Sequence, residues 1–251
     1  MTLRFSTGAV FGLAMLAACG GDDGGKPGGG VDAPGGACGG DTLLTGEVVD
    51  WDSNSTAFCG VFQATVTVRA TTKVTTNTTN PNGRVEGVCV PKTAALIDVT
   101  AAAAASQCAS MPGTYPKAGI VIADPAVIAA GGTPSVRLMS SVALARMYTM
   151  AGPIGGDYNS GQAQVVFHFT GNPHTITTTS NSFSKPQQFN GTQWEPVAGA
   201  AAPGSDVLYP NVDASVPITF SIAGGNPSTV TLQPGTTLVA DKFTYVTVVT
   251  P

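Results

Sequence analysis

The feature that most constrains this chain is the recurrence of short β-branched runs, apolar and polar by turns. Gly, Pro and Asn break them about every 10 to 15 residues. Leu43 to Trp51, Val61 to Ala70, Gly83 to Val90 and Leu96 to Ala102 are four such runs. Gln162 to Thr170, His174 to Thr179, Val216 to Ile222, Thr229 to Leu232 and Phe243 to Thr250 are five more. In Gln63-Ala64-Thr65-Val66-Thr67-Val68-Arg69 the apolar side chains at 64, 66 and 68 fall on one side and the polar ones on the other, the pattern of a half-buried strand. Asn80-Pro81-Asn82-Gly83 precedes Arg84-Val85, and Asn-Gly supplies the positive φ of a tight turn. Charged residues are 10% of the chain, too few for a charged-face helical bundle, while 43% hydrophobic residues suffice for a core. The expected class is all-β, with two β-sandwich modules.

The N-terminus has a different character. Arg4 and the amino group supply a positive end, and Ala9 to Ala18 is an apolar run shorter than the about 20 residues a spanning helix needs. This reads as a signal peptide over residues 1–18. Leu16-Ala17-Ala18-Cys19-Gly20, at the end of the apolar run, resembles the lipobox of bacterial lipoproteins. The resemblance implies that Cys19 becomes a lipidated first residue, a membrane anchor carrying more than one acyl chain. Gly20 in place of Asp after the cysteine implies the outer membrane. Residues 19–40 continue as a Gly-rich stretch with Pro and Asp and almost nothing apolar, the composition of a disordered, flexible tether.

Gly46-Glu47-Val48-Val49-Asp50, Val61 to Val68, Thr78 to Val85 with its Asn-Pro-Asn-Gly turn, and Ile97-Asp98-Val99-Thr100-Ala101 together, in this order, resemble carboxypeptidase regulatory-like domains. The resemblance covers about residues 42 to 105. It implies a transthyretin-like β-sandwich, placed here over residues 41–108, that acts as a spacer and recognition module and brings no catalytic residues. The sequence departs from that pattern in Val85, where an aromatic is common, and in the long stretch Thr71 to Thr79.

Export puts the remaining cysteines in an oxidising compartment, where disulfides persist. Cys38, Cys59, Cys89 and Cys108 allow three pairings. Cys59 with Cys89 and Cys38 with Cys108 are expected, since the outer pair would staple the two ends of the first module. No C-x-x-C and no nearby His suggest zinc.

Residues 109–160 read as a connecting segment. Thr133-Pro134 offers an N-cap followed by proline, and Val136, Met139, Val142, Ala143, Met147 and Met150 recur at helical spacing, predicting one short helix. Residues 161–251 read as the second β-sandwich-like domain.

Chemistry is sparse. There is no Gly-x-Ser-x-Gly elbow, and Ser182-Phe183-Ser184-Lys185 lacks the partner motifs that would make Ser-x-x-Lys meaningful. His168 and His174 could approach across a hairpin, but two His without a third ligand make a poor metal site. Asp50-Trp51-Asp52-Ser53-Asn54 begins like a calcium loop, then has Ser55 and Val61 where Gly and Glu are needed. The expectation is no catalytic residue, no metal and no cofactor. Net charge is −4 with scattered Lys and Arg, so no nucleic-acid partner is expected. Two functions fit: a non-catalytic envelope lipoprotein that binds or positions a partner, or a carbohydrate-binding or polysaccharide-processing surface protein. The second would use Trp51, Trp194, Tyr158 and Tyr209 as stacking platforms. The partners in view are therefore the membrane, through the anchor, and an envelope protein or glycan.

Overall fold

In the computed structural model the described residues are 38–50, 59–61, 63–69, 75–78, 83–93, 95–101, 115–126, 135–138, 158–172, 174–179, 183–189, 194–197 and 206–250. The expected signal peptide, Cys19, most of the Gly-rich stretch, Trp51 and Cys108 lie outside them. In the first half, burial alternates most cleanly in two of the strands, residues 65–68 and 95–100. β1 (Thr42–Asp50), β2 (Thr65–Val68), β3 (Thr75–Thr78), β4 (Arg84–Val90), β5 (Ala95–Thr100) and β6 (Ala118–Ile122) follow in order. β7 (Ser135–Leu138) and β8 (Ala163–Thr170) lead into β9 (Ile176–Thr178), β10 (Gln187–Phe189), β11 (Trp194–Pro196) and β12 (Asp206–Val212). β13 (Ile218–Ile222), β14 (Thr229–Leu232) and β15 (Phe243–Val249) close the fold.

The protein is all-β. A nine-stranded sheet runs β11-β10-β12-β8-β15-β6-β5-β2-β3, and two three-stranded sheets, β4-β1-β7 and β14-β13-β9, complete the fold. Two hydrophobic cores share the large sheet. On β8, Val166 joins the core built with Leu44, Val48 and Val88 of the β1 sheet, whereas Val165, Phe167 and Phe169 join the core built with Phe220 and Leu232 of the β13 sheet. Side chains of a strand alternate between faces, so one strand serves both cores. β15 does the same, with Tyr245 in the first and Val246 and Val248 in the second. It lies between β8 and β6, parallel to both, and six of its seven residues are buried. A parallel strand covered on two faces has no solvent side, which is why Thr244 and Thr247 are buried along with its apolar residues. Residues 35–251 accordingly form one compact unit. β6, from the segment expected to connect two modules, pairs with β5 on one side and β15 on the other.

Two expectations are corrected. The short helix predicted from Thr133-Pro134 is replaced at Ser135–Leu138 by β7, which pairs in parallel with β1 over Glu47 to Asp50. Over four residues a helical and an alternating pattern cannot be told apart, and proline tolerates the first position of a strand as well as of a helix. Met139 and the rest of the stripe lie outside the described residues. The expected cysteine pairing is also wrong: Cys38 bonds Cys89, with Cα atoms 5.3 Å apart. The cause is register. Leu43 lies opposite Cys89 in the β1–β4 pair, and the chain before β1 turns through Gly39 and Gly40, both at positive φ, with Asp41 N donating to Cys38 O at 2.9 Å. That turn sets Cys38 back over β4. Cys59 is disulfide-bonded too, to a residue outside the described ones.

Of the Asn-Gly signal, Asn82 lies outside the described residues. Gly83 has φ +75°, and a Cβ there would run into Val48 O. Both the conformation and the space demand glycine. Among the described residues no helix is long and apolar enough to cross a membrane.

Candidate functional site

Polar side chains gather where β8, β12 and β15 meet their loops. β12 carries a bulge between Tyr209 and Val212, where Asn211 adopts φ +53°. Asn tolerates this left-handed conformation better than most residues. Asn211 N donates to Gln164 Oε1 at 3.1 Å, Asn211 Nδ2 donates to Ser184 Oγ at 3.0 Å, and Asn211 Oδ1 accepts from Asn159 N at 3.1 Å. Beside this, Asp241 Oδ1 accepts from Tyr158 OH at 3.1 Å and from Gly161 N at 3.0 Å. The network fixes loop 158–161 against two strand ends. Burial, then the hydrogen bond to Asp241 and its negative charge, raise the Tyr158 phenol pKa above its usual value.

Of the expected stacking platforms, Tyr158 and Tyr209 are placed by the structure, and they pack against different cores. Tyr209 is buried, edge-on to Phe167, Phe183 and Phe220 at centroid distances of 5.9, 5.1 and 4.9 Å. It is core, because the β13 sheet covers its side of the large sheet. Tyr158 packs partly against the first core, Trp194 sits on β11 opposite Phe189, and Trp51 lies outside the described residues.

Burial also pushes the Tyr209 phenol up to about 12. The unfolded chain, with a tyrosine pKa near 10, releases this proton first, so Tyr209 leaves stability unchanged below pH 10 and removes it as pH rises through the folded value. The expected loss is about 2 to 3 kcal/mol between pH 10 and 12. Urea midpoints measured across that range should fall less steeply in Tyr209→Phe. An unchanged slope would contradict the assignment.

The two histidines take separate environments. His168 Nδ1 lies 2.6 Å from Asp206 Oδ1, and both occupy matched positions on β8 and β12. His174 packs against Gly224, where a Cβ would come within 3.0 Å of its Cε1. Its Nε2 is buried and makes no hydrogen bond among the described residues. Asp50, the first residue of the calcium-like pattern, is buried and accepts a hydrogen bond from Tyr115 OH. Among the described residues no three His, Cys, Asp or Glu side chains cluster to hold a metal ion.

A cluster that sequence reading missed lies on β5. Asp98 Oδ1 is 2.5 Å from Lys242 Nζ, and Asp98 Oδ2 pairs with Arg69 Nε. The Lys242 and Asp98 side chains are 10% and 18% exposed, so this pair is better shielded from solvent screening than a surface ion pair. Burial, reinforced by the charges of Arg69 and Lys117, lowers the Lys242 pKa. The partners are 144 residues apart in sequence, and no local motif announces them.

No family model matches the sequence, and no curated protein does. Among solved structures the chain is similar to the Bacillus anthracis TIE protein, at 11% identity and a TM-score of 0.23 over 84% of this chain. It spans about a third of that protein, 34% of its length. A mutant form of the shaft pilin SpaA from Lactobacillus rhamnosus GG matches at 10% identity and a TM-score of 0.26, covering 84% of this chain and 98% of the pilin.

Proposed function

We propose that this chain is a lipid-anchored, non-catalytic protein of the outer membrane that binds or positions a partner at the cell envelope through its sandwich surfaces. The observation that carries the reading is Leu16-Ala17-Ala18-Cys19-Gly20 at the end of an apolar run too short to span, with a Gly-rich stretch leading from it to Cys38. The disulfide from Cys38 to β4 supports it, since it ties the end of that stretch to a strand rather than to a loop. The non-catalytic part rests on placement: His168 is engaged with Asp206 between strands, and His174 packs against Gly224. The carbohydrate reading loses Tyr209 to the core, and no other observation favours it.

The anchor is tested by Cys19→Ser. The wild-type chain should sediment with membranes in high salt, and the variant should appear in the soluble fraction, because the acyl chains are the strong membrane contact. A variant that still co-sediments in detergent-free buffer refutes the anchor.

A further inference from the structure

Asp98, Gly119 and Thr244 form one row across β5, β6 and β15, on the face opposite that of Ile97, Ile120 and Tyr245 in the first core. Two positions earlier, the parallel register that pairs Ala118 with Phe243 sets Lys117 beside Lys242 on the same face as that row. Like charges side by side on adjacent strands repel. Lys242 lays its side chain across Gly119, where a Cβ would come 3.1 Å from Nζ, and reaches Asp98. Arg69 takes the carboxylate's other oxygen. One acid is thus divided between two bases, and exposed Lys117 makes no ion pair among the described residues. In a chain of net charge −4, the described residues give this face a local excess of positive charge: Lys117, Lys242 and Arg69 against Asp98.

We propose that Lys117, Lys242 and Arg69 form a seat for a phosphate-class oxyanion on the open face of β5 and β6. Thr100, exposed and set by register next to Lys117, supplies a hydroxyl. A tetrahedral dianion accepts charge-assisted hydrogen bonds from ammonium groups on one side and from the exposed Arg69 guanidinium on the other. It would also relieve the repulsion between Lys117 and Lys242. Asp98 holds Lys242 and Arg69 in place, so the seat is organised before the anion arrives. The seat goes beyond the anchored reading and does not depend on it.

The test uses the full chain in detergent, unfolded by heat with inorganic phosphate or with sodium chloride at equal ionic strength. Saturating phosphate should raise Tm by about 2 °C or more over the chloride control. Lys117→Glu and Lys117→Ala should abolish the shift, and Lys92→Glu, on an exposed turn, should keep it. A second arm mixes the Cys19→Ser chain with vesicles of phosphatidylglycerol or of phosphatidylcholine. Binding to the former alone, lost in Lys117→Glu, assigns the phosphate to a lipid headgroup, and a phosphate shift without vesicle binding assigns it to a soluble phosphate ester. No shift with phosphate, or an equal shift in Lys117→Glu, overturns the proposal whatever the vesicles do. Membrane release of Cys19→Ser reports on the anchor alone, so the two readings fail separately.

Discussion

Phe167→Ala is expected to lower the unfolding free energy by about 3 to 5 kcal/mol. Phe167 is fully buried at the centre of β8. Its ring meets Phe220 edge-on at 4.8 Å and Tyr209 at 5.9 Å, while Tyr209 and Phe220 meet each other at 4.9 Å. The three rings come from β8, β12 and β13, so they join the large sheet to the β13 sheet. Removing one leaves a void lined by the other two, and rings held by their own backbones on neighbouring strands cannot collapse into it. Phe167→Leu keeps most of the volume and should cost less than half as much. The measurement is urea unfolding at neutral pH. A loss below about 1 kcal/mol would mean that the second core is not packed as described.

Alternation made much of this fold legible and also marks where legibility ended. β2 and β5 announce themselves because one face is buried and the other is not, as the patterns of Val66 and Val68 and of Ala95, Ile97 and Val99 attest. β12 was missed because Pro210 and Asn211 interrupt it; the bulge that accommodates them is a property of the β12–β8 pair, invisible in one strand. β10 and β11 are three residues each, too short for any period to register. Tyr209 alternates as a surface aromatic would, but at β12 the sheet is covered on both faces and its aromatics have no outside to reach. His168 could be picked out, but its partner Asp206 is 38 residues away and is set by antiparallel register. Asp98 and Lys242 are further apart still, and only the order β5-β6-β15 brings them together. Contacts made by sheet order carry no local signal, whereas burial does.

Replacing both Cys38 and Cys89 by Ser should cost about 4 kcal/mol, the chain-entropy value for a loop closed across 51 residues. Without the bond the unfolded chain regains the freedom of that whole loop, while β1 and β4 keep their antiparallel register from Thr42–Val90 to Glu47–Arg84. The loss therefore acts on the unfolded state, and the folded structure of the double variant should be little changed. How the loss is distributed is the sharper expectation. Were the chain two independent sandwiches, removing a bond in the first would leave the second untouched and split the melt into two transitions. β8 and β15 instead carry side chains of both cores, so neither core can unfold without exposing the back of strands the other needs. The double variant should melt lower but in a single transition, with near-ultraviolet circular dichroism from the Phe167 and Tyr209 cluster lost together with far-ultraviolet signal. Two separated transitions, with the aromatic signal persisting to the wild-type Tm, would show that the shared sheet does not couple its two faces.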